Sequence, residues 1–414
     1  MNMRFVRAAV VACLLGSAAV TALIAPLAPA YAKSSGPSVS AAVAKLLQPA
    51  QKAMQANDFK TALDLIKQAQ ALPDQTAFDT YTINNFLANA ALGLKDYATA
   101  DTAYEAMAES PALPDEDKAT TFHNAMLLAT QAKHYDKAIK YGQAFLALGG
   151  PSDPQIIGTM AQAYYFLNDF ANAETMAKKA LDATPAGQAP NRAALEIMLS
   201  SQIKAKHQDQ AMATLEQIVT YYDDADDWGQ LIDVSVGVKG IKDYELLHIY
   251  RLLPVTKAKG GGDDYKGASS VALSMGYPVE AEAILQSGGL PVGADVRSRA
   301  AADRKTIESF ASMAAKSPTG ELDQKLSETL YGYGRYAEAE AAARRALKKA
   351  GAKTNANELN LVLGESLLLQ GKTADAVAAF NAISNPSPGT AKAQHLWLLY
   401  ANRKYSTAAA APGH

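Results

Sequence analysis

The chain of 414 residues contains a single cysteine, Cys13. Because it lies near the amino terminus, the rest of the chain can form neither an internal disulfide nor a thiolate metal site. A large exported domain needs no disulfide when its hydrophobic core is big enough. An excess of positive charge is also lacking, since the formal net charge is −2 and no dense Lys/Arg cluster occurs. The basic surface typical of nucleic-acid-binding proteins is therefore absent.

Long apolar runs are scarce too, and the one that exists, residues 8–24, follows Arg4 and Arg7. An A-x-A site ends at Ala32, which predicts a secretory signal peptide over residues 1–32, cleaved before Lys33. The alternative is an uncleaved membrane anchor. A run of 17 residues is marginal for that role, since a spanning helix needs about 20.

Removal of residues 1–32 takes away two arginines, so the formal net charge falls from −2 to −4. The mature chain, residues 33–414, has no second long apolar run. We therefore expect a soluble exported protein without membrane insertion after cleavage, most simply periplasmic, with secretion as the alternative.

Motifs that carry chemistry are missing as well. Neither His-x-x-x-His nor His-Glu-x-x-His occurs, and neither the Gly-x-x-x-x-Gly-Lys loop nor Gly-x-Ser-x-Gly is present. The acidic run 221–227 lacks the glycine-hinged pattern of a calcium loop, so we expect Asp226 or Asp227 to cap the following helix. The sequence thus predicts no catalytic, metal or cofactor-binding residue, and a protein that is not an enzyme.

What the sequence does contain is an internal repeat. Alanines recur at intervals of mostly 35 to 38 residues, and one interval of 70 implies a degenerate unit. We call them the ruler alanines: Ala62, Ala100, Ala138, Ala173, Ala211, Ala281, Ala339 and Ala376. Most have a small residue 12 positions earlier and an aromatic residue 3 positions earlier. Apolar residues follow 4 and 7 positions later, and such spacings are helical.

These spacings predict two antiparallel helices that pack closely through small residues. Asn57-Asp58, Lys95-Asp96, Asn168-Asp169 and Gly334-Arg335 suit the turn between the helices, because Asn, Asp and Gly tolerate the backbone it needs. One hairpin cannot bury its apolar faces alone, so neighbouring units must stack.

The pattern resembles the tetratricopeptide repeat (TPR), whose unit has about 34 residues in two helices. The resemblance covers most of residues 38–385 and implies an all-α, right-handed α-solenoid of stacked antiparallel helix pairs. We expect about nine units, one of them degenerate, plus an extra helix and a C-terminal capping helix. A narrower likeness to exported bacterial TPR proteins rests on Trp228, residues 250–252 and 276–281, and Leu396-Trp397.

The expected organisation is a signal peptide (1–32), a five-unit N-terminal array (38–222), a middle region (223–318), C-terminal units with a cap (319–404) and a disordered tail (405–414). The middle region holds the degenerate unit at 228–253, one regular unit and an extra helix at 296–315. It also holds TKAKGGGDD (256–264), which we expect to be a flexible loop because consecutive glycines disfavour a helix.

In TPR arrays the first helix of each unit lines a concave groove, and the resemblance implies that binding happens there. The residues that the repeat register places on this surface are Asn85, Asn89, His123, Leu127, Gln162, Tyr165, Phe166, Glu196, Ser200, Lys204, Lys266, Ser270, Glu328 and Tyr331. The carboxylate clamp of chaperone-binding TPR domains is not reproduced. Asn89 and Asn124 match its asparagines, but its basic positions hold Asn85, Gln155 and Thr159.

The sequence therefore favours a non-catalytic scaffold in the cell envelope that binds a protein or peptide of unknown identity. One alternative is a periplasmic adaptor of a polysaccharide-export or outer-membrane assembly machine. An enzyme with an unrecognised site and a glycan-binding solenoid are further alternatives.

Overall fold

The computed structural model describes residues 38–149, 154–185, 187–237, 240–259, 262–349, 351 and 353–404. The predicted signal peptide, its cleavage site between Ala32 and Lys33, and the tail at 405–414 lie outside these ranges. The chain divides into two compact units, one ending at Ala211 and the other starting at Met212. Within the described ranges all regular structure is helical, and no helix there combines the length and apolar character needed to span a membrane.

The helices of the N-terminal unit are α1 (Ala41–Gln55), α2 (Phe59–Gln70), α3 (Ala77–Gly93), α4 (Tyr97–Ala108), α5 (Asp115–Gln131), α6 (Tyr135–Ala147), α7 (Pro154–Phe166), α8 (Phe170–Asp182) and α9 (Arg192–Lys204). Helix α10 (Gln208–Tyr221) contains the division between the units. The helices of the C-terminal unit are α11 (Ala225–Val236), α12 (Asp243–Tyr250), α13 (Leu252–Thr256), α14 (Gly262–Ser274), α15 (Pro278–Ser287), α16 (Ala294–Lys316), α17 (Glu321–Gly332), α18 (Tyr336–Lys349), α19 (Ala356–Leu369), α20 (Thr373–Asn381) and α21 (Pro388–Ala401).

Successive helices pack as hairpins, such as α1 with α2, α7 with α8 and α17 with α18. The eight ruler alanines are all at most 1 % exposed, which confirms that they lie at the helix–helix contacts. At the small position of the last unit, a methyl group added to Gly364 would collide with the ring of Phe380. The helices of this pair can therefore approach only because the residue is small.

The turns between paired helices share a residue with a left-handed backbone, and three of them also share a capping aspartate. Asn57, Lys95 and Asn168 each adopt a left-handed backbone, with φ of 60°, 59° and 62°. The aspartate that follows each of them caps the second helix; for example, the Asp58 side chain accepts a hydrogen bond from the Thr61 amide. This arrangement satisfies an amide that the first turn of a helix leaves unpaired. Gly334 is left-handed as well, with φ of 72°, so all four predicted dipeptides lie at turns.

Two predictions need correction. The run 256–264 is not one loop, because Thr256 ends α13 and Gly262 begins α14. Asp263 and Asp264 lie in the first turn of α14, where carboxylates interact favourably with the helix dipole. The cap of α11 is Asp224, whose side chain accepts hydrogen bonds from the amides of residues 226 and 227; neither of those residues is the cap.

The extra helix and the C-terminal cap are both present, as α16 and α21. Helix α21 packs against α12, α19 and α20. Trp397 on α21 donates a hydrogen bond from its indole to the backbone carbonyl of His248 (2.8 Å), and its neighbour Tyr400 packs edge-on against Trp228. The end of the C-terminal unit therefore returns to the helices near its beginning.

Candidate functional site

Ten of the predicted groove residues belong to α3, α5, α7 and α9 of the N-terminal unit, and we call them the first-helix face. Its members are Asn85, Asn89, His123, Leu127, Gln162, Tyr165, Phe166, Glu196, Ser200 and Lys204. All ten are half-buried or exposed, as residues on an accessible wall must be. Their use in partner binding stays a prediction.

Local contacts hold several of these side chains in place. The Asn89 amide donates hydrogen bonds to the backbone and side-chain oxygens of Asn85, at 2.8 and 3.0 Å. The His123 ring packs 5.5 Å from that of Phe145, and Glu196 pairs with Arg192 at 2.8 Å. These side chains are ordered before any partner arrives, which lowers the entropic cost of binding.

An aromatic group lies where α7 ends. The Phe166 ring stacks on Tyr135 with a centroid distance of 4.8 Å, and Tyr165 meets Phe166 and Phe170 edge-on at 5.8 and 5.7 Å. Phe166 is 36 % exposed and the adjacent Leu167 is 46 % exposed. This part of the first-helix face therefore offers apolar area beside polar side chains.

Asn124, which matches an asparagine of the carboxylate clamp, already has a hydrogen-bond partner within the fold. Asn124 is buried, and its amide donates a hydrogen bond to the Tyr104 hydroxyl at 3.0 Å. Its partner Tyr104 lies on the second helix of the preceding unit. Asn124 thus links two successive units.

In the C-terminal unit the predicted groove residues on α14 are exposed, whereas those on α17 are buried. Lys266 and Ser270 on α14 are exposed, as predicted for a groove wall. Glu328 and Tyr331 on α17 are only 2 % and 6 % exposed, so the prediction that they line an open groove is wrong. The physical reason is that Arg251, at the junction of α12 and α13, covers them.

Arg251 is the centre of a buried group that we call the arginine cluster: His248, Arg251, Glu280, Glu328, Tyr331 and Glu365. Its guanidinium binds Glu280 with two hydrogen bonds, at 2.6 and 2.9 Å. The same group reaches Glu328 at 2.7 Å and Glu365 at 3.0 Å, and it stacks 4.1 Å from the centroid of the Tyr331 ring. Three carboxyl groups from α15, α17 and α19 thus converge on one cation, an arrangement that the planar guanidinium favours.

Burial sets the protonation of this cluster. It raises the pKa of Glu365 to about 8, although Arg251 opposes the shift, and it lowers the pKa of His248 to about 4. At neutral pH, His248 is therefore uncharged and Glu365 retains its proton. The distances fit this state, because Nδ1 of His248 lies 2.7 Å from Glu365 Oε1 and 3.2 Å from Nη1 of Arg251. Nδ1 is then the acceptor, and the proton of the imidazole is on Nε2.

Perturbed pKa values often mark catalytic groups, but the charged members of this cluster are at most 4 % exposed. A substrate has no access to them in this state, so the arrangement acts as a structural junction that fixes α12 against α15, α17 and α19. Sequence reasoning missed the junction. A signal was present, since Glu328 and Glu365 both lie 11 positions before a ruler alanine, and Arg251 interrupts the apolar run 246–255.

Several other histidines and carboxylates have partners within the fold. His134 lies 2.8 Å from Asp101, and His207 lies 3.4 Å from Glu174. Glu245 accepts hydrogen bonds from the hydroxyls of Ser387, which caps α21, and of Thr390 in its first turn. Among the residues the structure describes, no three His, Cys, Asp or Glu side chains are placed to hold a metal ion.

The known proteins that resemble this chain have little sequence identity with it. No protein-family model matches the sequence, and the search of curated proteins found no match. Among solved structures, a tetratricopeptide repeat protein from Parabacteroides merdae is 11 % identical, with 87 % of this chain and 100 % of that chain covered and a TM-score of 0.30. The TPR domain of P58(IPK) is 14 % identical over 87 % and 98 % of the two chains, with a TM-score of 0.23.

A Rap protein in complex with competence and sporulation factor is 14 % identical over 88 % of this chain and 95 % of its own, with a TM-score of 0.27. Scores this low carry no inference about ligand or partner, so the fold assignment depends on the features of the chain itself. Paired helices, buried ruler alanines and left-handed turns recur through its units. The chain is therefore an all-helical repeat protein whose units resemble the tetratricopeptide repeat.

Proposed function

We propose that the protein is a non-catalytic scaffold that binds a polypeptide partner on the first-helix face of its N-terminal unit. One observation carries the proposal. On α17 of the C-terminal unit, the register positions equivalent to Gln162 and Tyr165 of this face are Glu328 and Tyr331, and both are covered by Arg251 of the chain itself. The positions equivalent to Glu328 on α3, α5, α7 and α9, namely Asn89, Leu127, Gln162 and Ser200, are all accessible, and so is Tyr165 on α7.

The chemistry of the face restricts the partner. Its members supply amides (Asn85, Asn89, Gln162), a tyrosine and an exposed phenylalanine, which suit hydrogen bonds to a peptide backbone and burial of apolar side chains. Its charged members are few, Glu196 and Lys204, and have opposite signs. A weakly charged polypeptide segment therefore fits better than a strongly acidic or basic one.

We further propose that the protein works in the cell envelope. The support is the sequence of residues 1–32, with its two arginines, apolar run and A-x-A site. Intact-mass measurement of the protein recovered from a periplasmic fraction tests this. Loss of residues 1–32 is the expected result, whereas a full-length mass in the cytosolic fraction excludes the proposal.

Photo-crosslinking of the full chain tests the binding face. A photoreactive residue at Tyr165 or Lys204 should capture the same partner, and one at Lys178, which is exposed on the second helix α8, should not. The captured protein is then identified, purified and titrated against the wild type and against Lys204→Glu.

We expect at least tenfold weaker binding by Lys204→Glu with an unchanged melting temperature, because charge reversal at an interface weakens the complex without touching the core. Equal capture at Lys178 moves the binding surface elsewhere. An identified component of an export or assembly machine makes the protein an adaptor of that machine.

A further inference from the structure

A polar cavity of about 180 Å³ lies in the C-terminal unit, where α17 and α19 begin beside the turn before α15. Its lining residues are Tyr277, Glu321, Gln324, Lys325, Lys353 and Glu358. It belongs neither to the first-helix face nor to the arginine cluster. It combines two lysines with two carboxylates, and the fold holds one of each sign in a fixed position.

The fixed cation is Lys325. Its ammonium group donates a hydrogen bond to the backbone carbonyl of Met275 at 2.6 Å and lies 3.7 Å from the centroid of the Tyr277 ring. These contacts hold the partly buried ammonium at the cavity wall. Since an ammonium has three N–H donors, donors remain for a ligand. Lys353 adds a second ammonium at the rim, where its side chain is exposed.

The fixed anion is Glu358. Its Oε2 accepts a hydrogen bond from the Gln324 amide at 2.9 Å, and the oxygen of that amide accepts one from the backbone of Asn355 at 2.8 Å. The orientation of the Gln324 amide is therefore determined. The other oxygen, Oε1 of Glu358, has no hydrogen-bond partner among the described residues.

Glu358 and Lys325 line the same cavity, yet within the described structure they do not form an ion pair with each other. Each has unused hydrogen-bonding capacity, and a partly buried charge gains much from a partner that satisfies it. A ligand that carries both a cation and an anion would satisfy the two residues at once.

We propose that this cavity binds a small zwitterion of the α-amino acid class. The carboxylate of the ligand pairs with the ammonium groups of Lys325 and Lys353, and its ammonium group donates to Oε1 of Glu358. A cavity of about 180 Å³ has room for a compact amino acid and excludes a long peptide.

The protonation of Glu358 provides a second readout. Burial raises the pKa of this carboxyl to about 7; Glu328 adds to the shift, whereas Arg251 and Lys325 oppose it. The remaining charged groups at the cavity are Glu321 and Lys353, and burial raises the pKa of Tyr277 well above its usual value, so that this phenol stays neutral.

A ligand ammonium group requires the ionised carboxylate. The ionised fraction of a group with a pKa near 7 rises from about one tenth at pH 6 to about nine tenths at pH 8. The affinity for the zwitterion should therefore increase about tenfold between these pH values. Burial lowers the pKa of Lys325 from its usual value, and any loss of its proton would reduce this increase.

The test is calorimetric titration of the full chain with individual L-amino acids, among them glycine, alanine, serine and leucine, at up to about 10 mM. For each amino acid that binds, the methyl ester and the N-acetyl derivative are titrated too, because they lack the anion and the cation respectively. We expect at least one amino acid to bind and both of its derivatives to bind at least tenfold more weakly.

Two variants locate the site. Glu358→Gln and Lys325→Met should each weaken binding at least tenfold, and Glu358→Gln should also abolish the pH dependence. Lys348→Met, an exposed position on α18, is the matched control and should bind like the wild type. If either site variant does not fold, the blocked derivatives still decide the question on the wild type.

Absence of binding by every amino acid overturns the proposal. Equal binding of the blocked derivatives overturns it as well, and so does undiminished binding by a folded Glu358→Gln variant. None of these outcomes bears on the first-helix face, which lies in the other unit.

Discussion

Arg251→Met is the substitution from which we expect the largest effect on stability. Arg251 is 1 % exposed and binds Glu280, Glu328 and Glu365, which are themselves at most 4 % exposed. Methionine occupies a similar volume but supplies neither the charge nor the hydrogen bonds. Glu280 loses both guanidinium contacts, and its carboxylate is then buried without its cation.

Removing one partner of a buried ion pair typically costs about 3–5 kcal/mol, because the remaining charge stays desolvated without compensation. We expect a loss of this size in the free energy of unfolding of the C-terminal unit. For a unit of this size a urea m-value near 2–3 kcal/mol/M is typical, so the midpoint should fall by about 1–2.5 M.

Tryptophan fluorescence is the appropriate assay. The chain has two tryptophans, Trp228 and Trp397, both fully buried in the C-terminal unit. Their emission therefore reports the unfolding of that unit alone, whereas far-UV circular dichroism reports both units. Trp397 is a close reporter of the cluster, since its indole donates a hydrogen bond to the backbone carbonyl of His248.

Arg344→Met is the matched control, because Arg344 forms an ion pair with Glu340 on the surface of α18 and is half exposed. Exposed pairs contribute about 0–1 kcal/mol, so this variant should unfold almost like the wild type. A double-mutant cycle of Arg251→Met with Glu280→Gln should give a coupling energy of about 1–3 kcal/mol. If Arg251→Met costs no more than Arg344→Met, the junction does not hold the unit together.

Two further results are expected. Because the pKa of Glu365 is raised from 4.5 to about 8, its contribution to stability is lost as the pH rises towards 8; because that of His248 is lowered from 6.5 to about 4, its contribution is lost as the pH falls towards 4. The pKa of Glu358 is also raised from 4.5, to about 7, so its contribution is lost as the pH rises towards 7. Urea unfolding followed by tryptophan fluorescence should thus show stability that falls between about pH 4.5 and 8, and Glu365→Gln should remove the part of the fall between pH 7 and 8. An unchanged fall over that last interval in the variant would show that another group causes it. Gly364→Ala should destabilise the C-terminal unit by about 1–3 kcal/mol, since the methyl group meets Phe380. Gly158→Ala on α7, where the methyl group meets nothing, should stabilise its unit by about 0.5–1 kcal/mol in thermal unfolding followed by circular dichroism, and equal effects of the two substitutions contradict the packing argument.

The repeat fold could be predicted from the sequence because its determinants are local. A small residue, a turn and a ruler alanine lie within 12 positions of one another, so one unit determines its own hairpin. Asn57-Asp58 shows this directly, with a left-handed Asn57 and a capping Asp58. Local patterning also identified α16 and α21 as helices.

The site could be predicted only in part, because its geometry depends on distant segments. The register correctly placed Tyr165 and Tyr331 at equivalent positions, eight residues before a ruler alanine. It could not show that α12 returns to cover one of them, since Arg251 lies 80 positions before Tyr331 in the chain. Helical periodicity shows which residues share a face of a helix. Which element packs against that face depends on tertiary packing and cannot be read from the periodicity.

The prediction of a single loop at 256–264 was wrong for a different reason. Three glycines indicated a break in the helix, but a glycine at the start of a helix costs little, and the two aspartates that follow favour its first turn. Composition alone did not distinguish the interior of a loop from the beginning of α14 at Gly262.

The central claim is that the position of Tyr165 on α7 is accessible, whereas the equivalent position on α17, Tyr331, is covered by the chain itself. Single cysteines at Tyr165→Cys and Tyr331→Cys, in a chain that also carries Cys13→Ser, compare these two positions with identical chemistry. Labelling with a thiol reagent under native conditions should be fast at position 165. It should be at least about 100-fold slower at position 331, where the reagent must wait for local opening. Similar rates at both positions would contradict the claim.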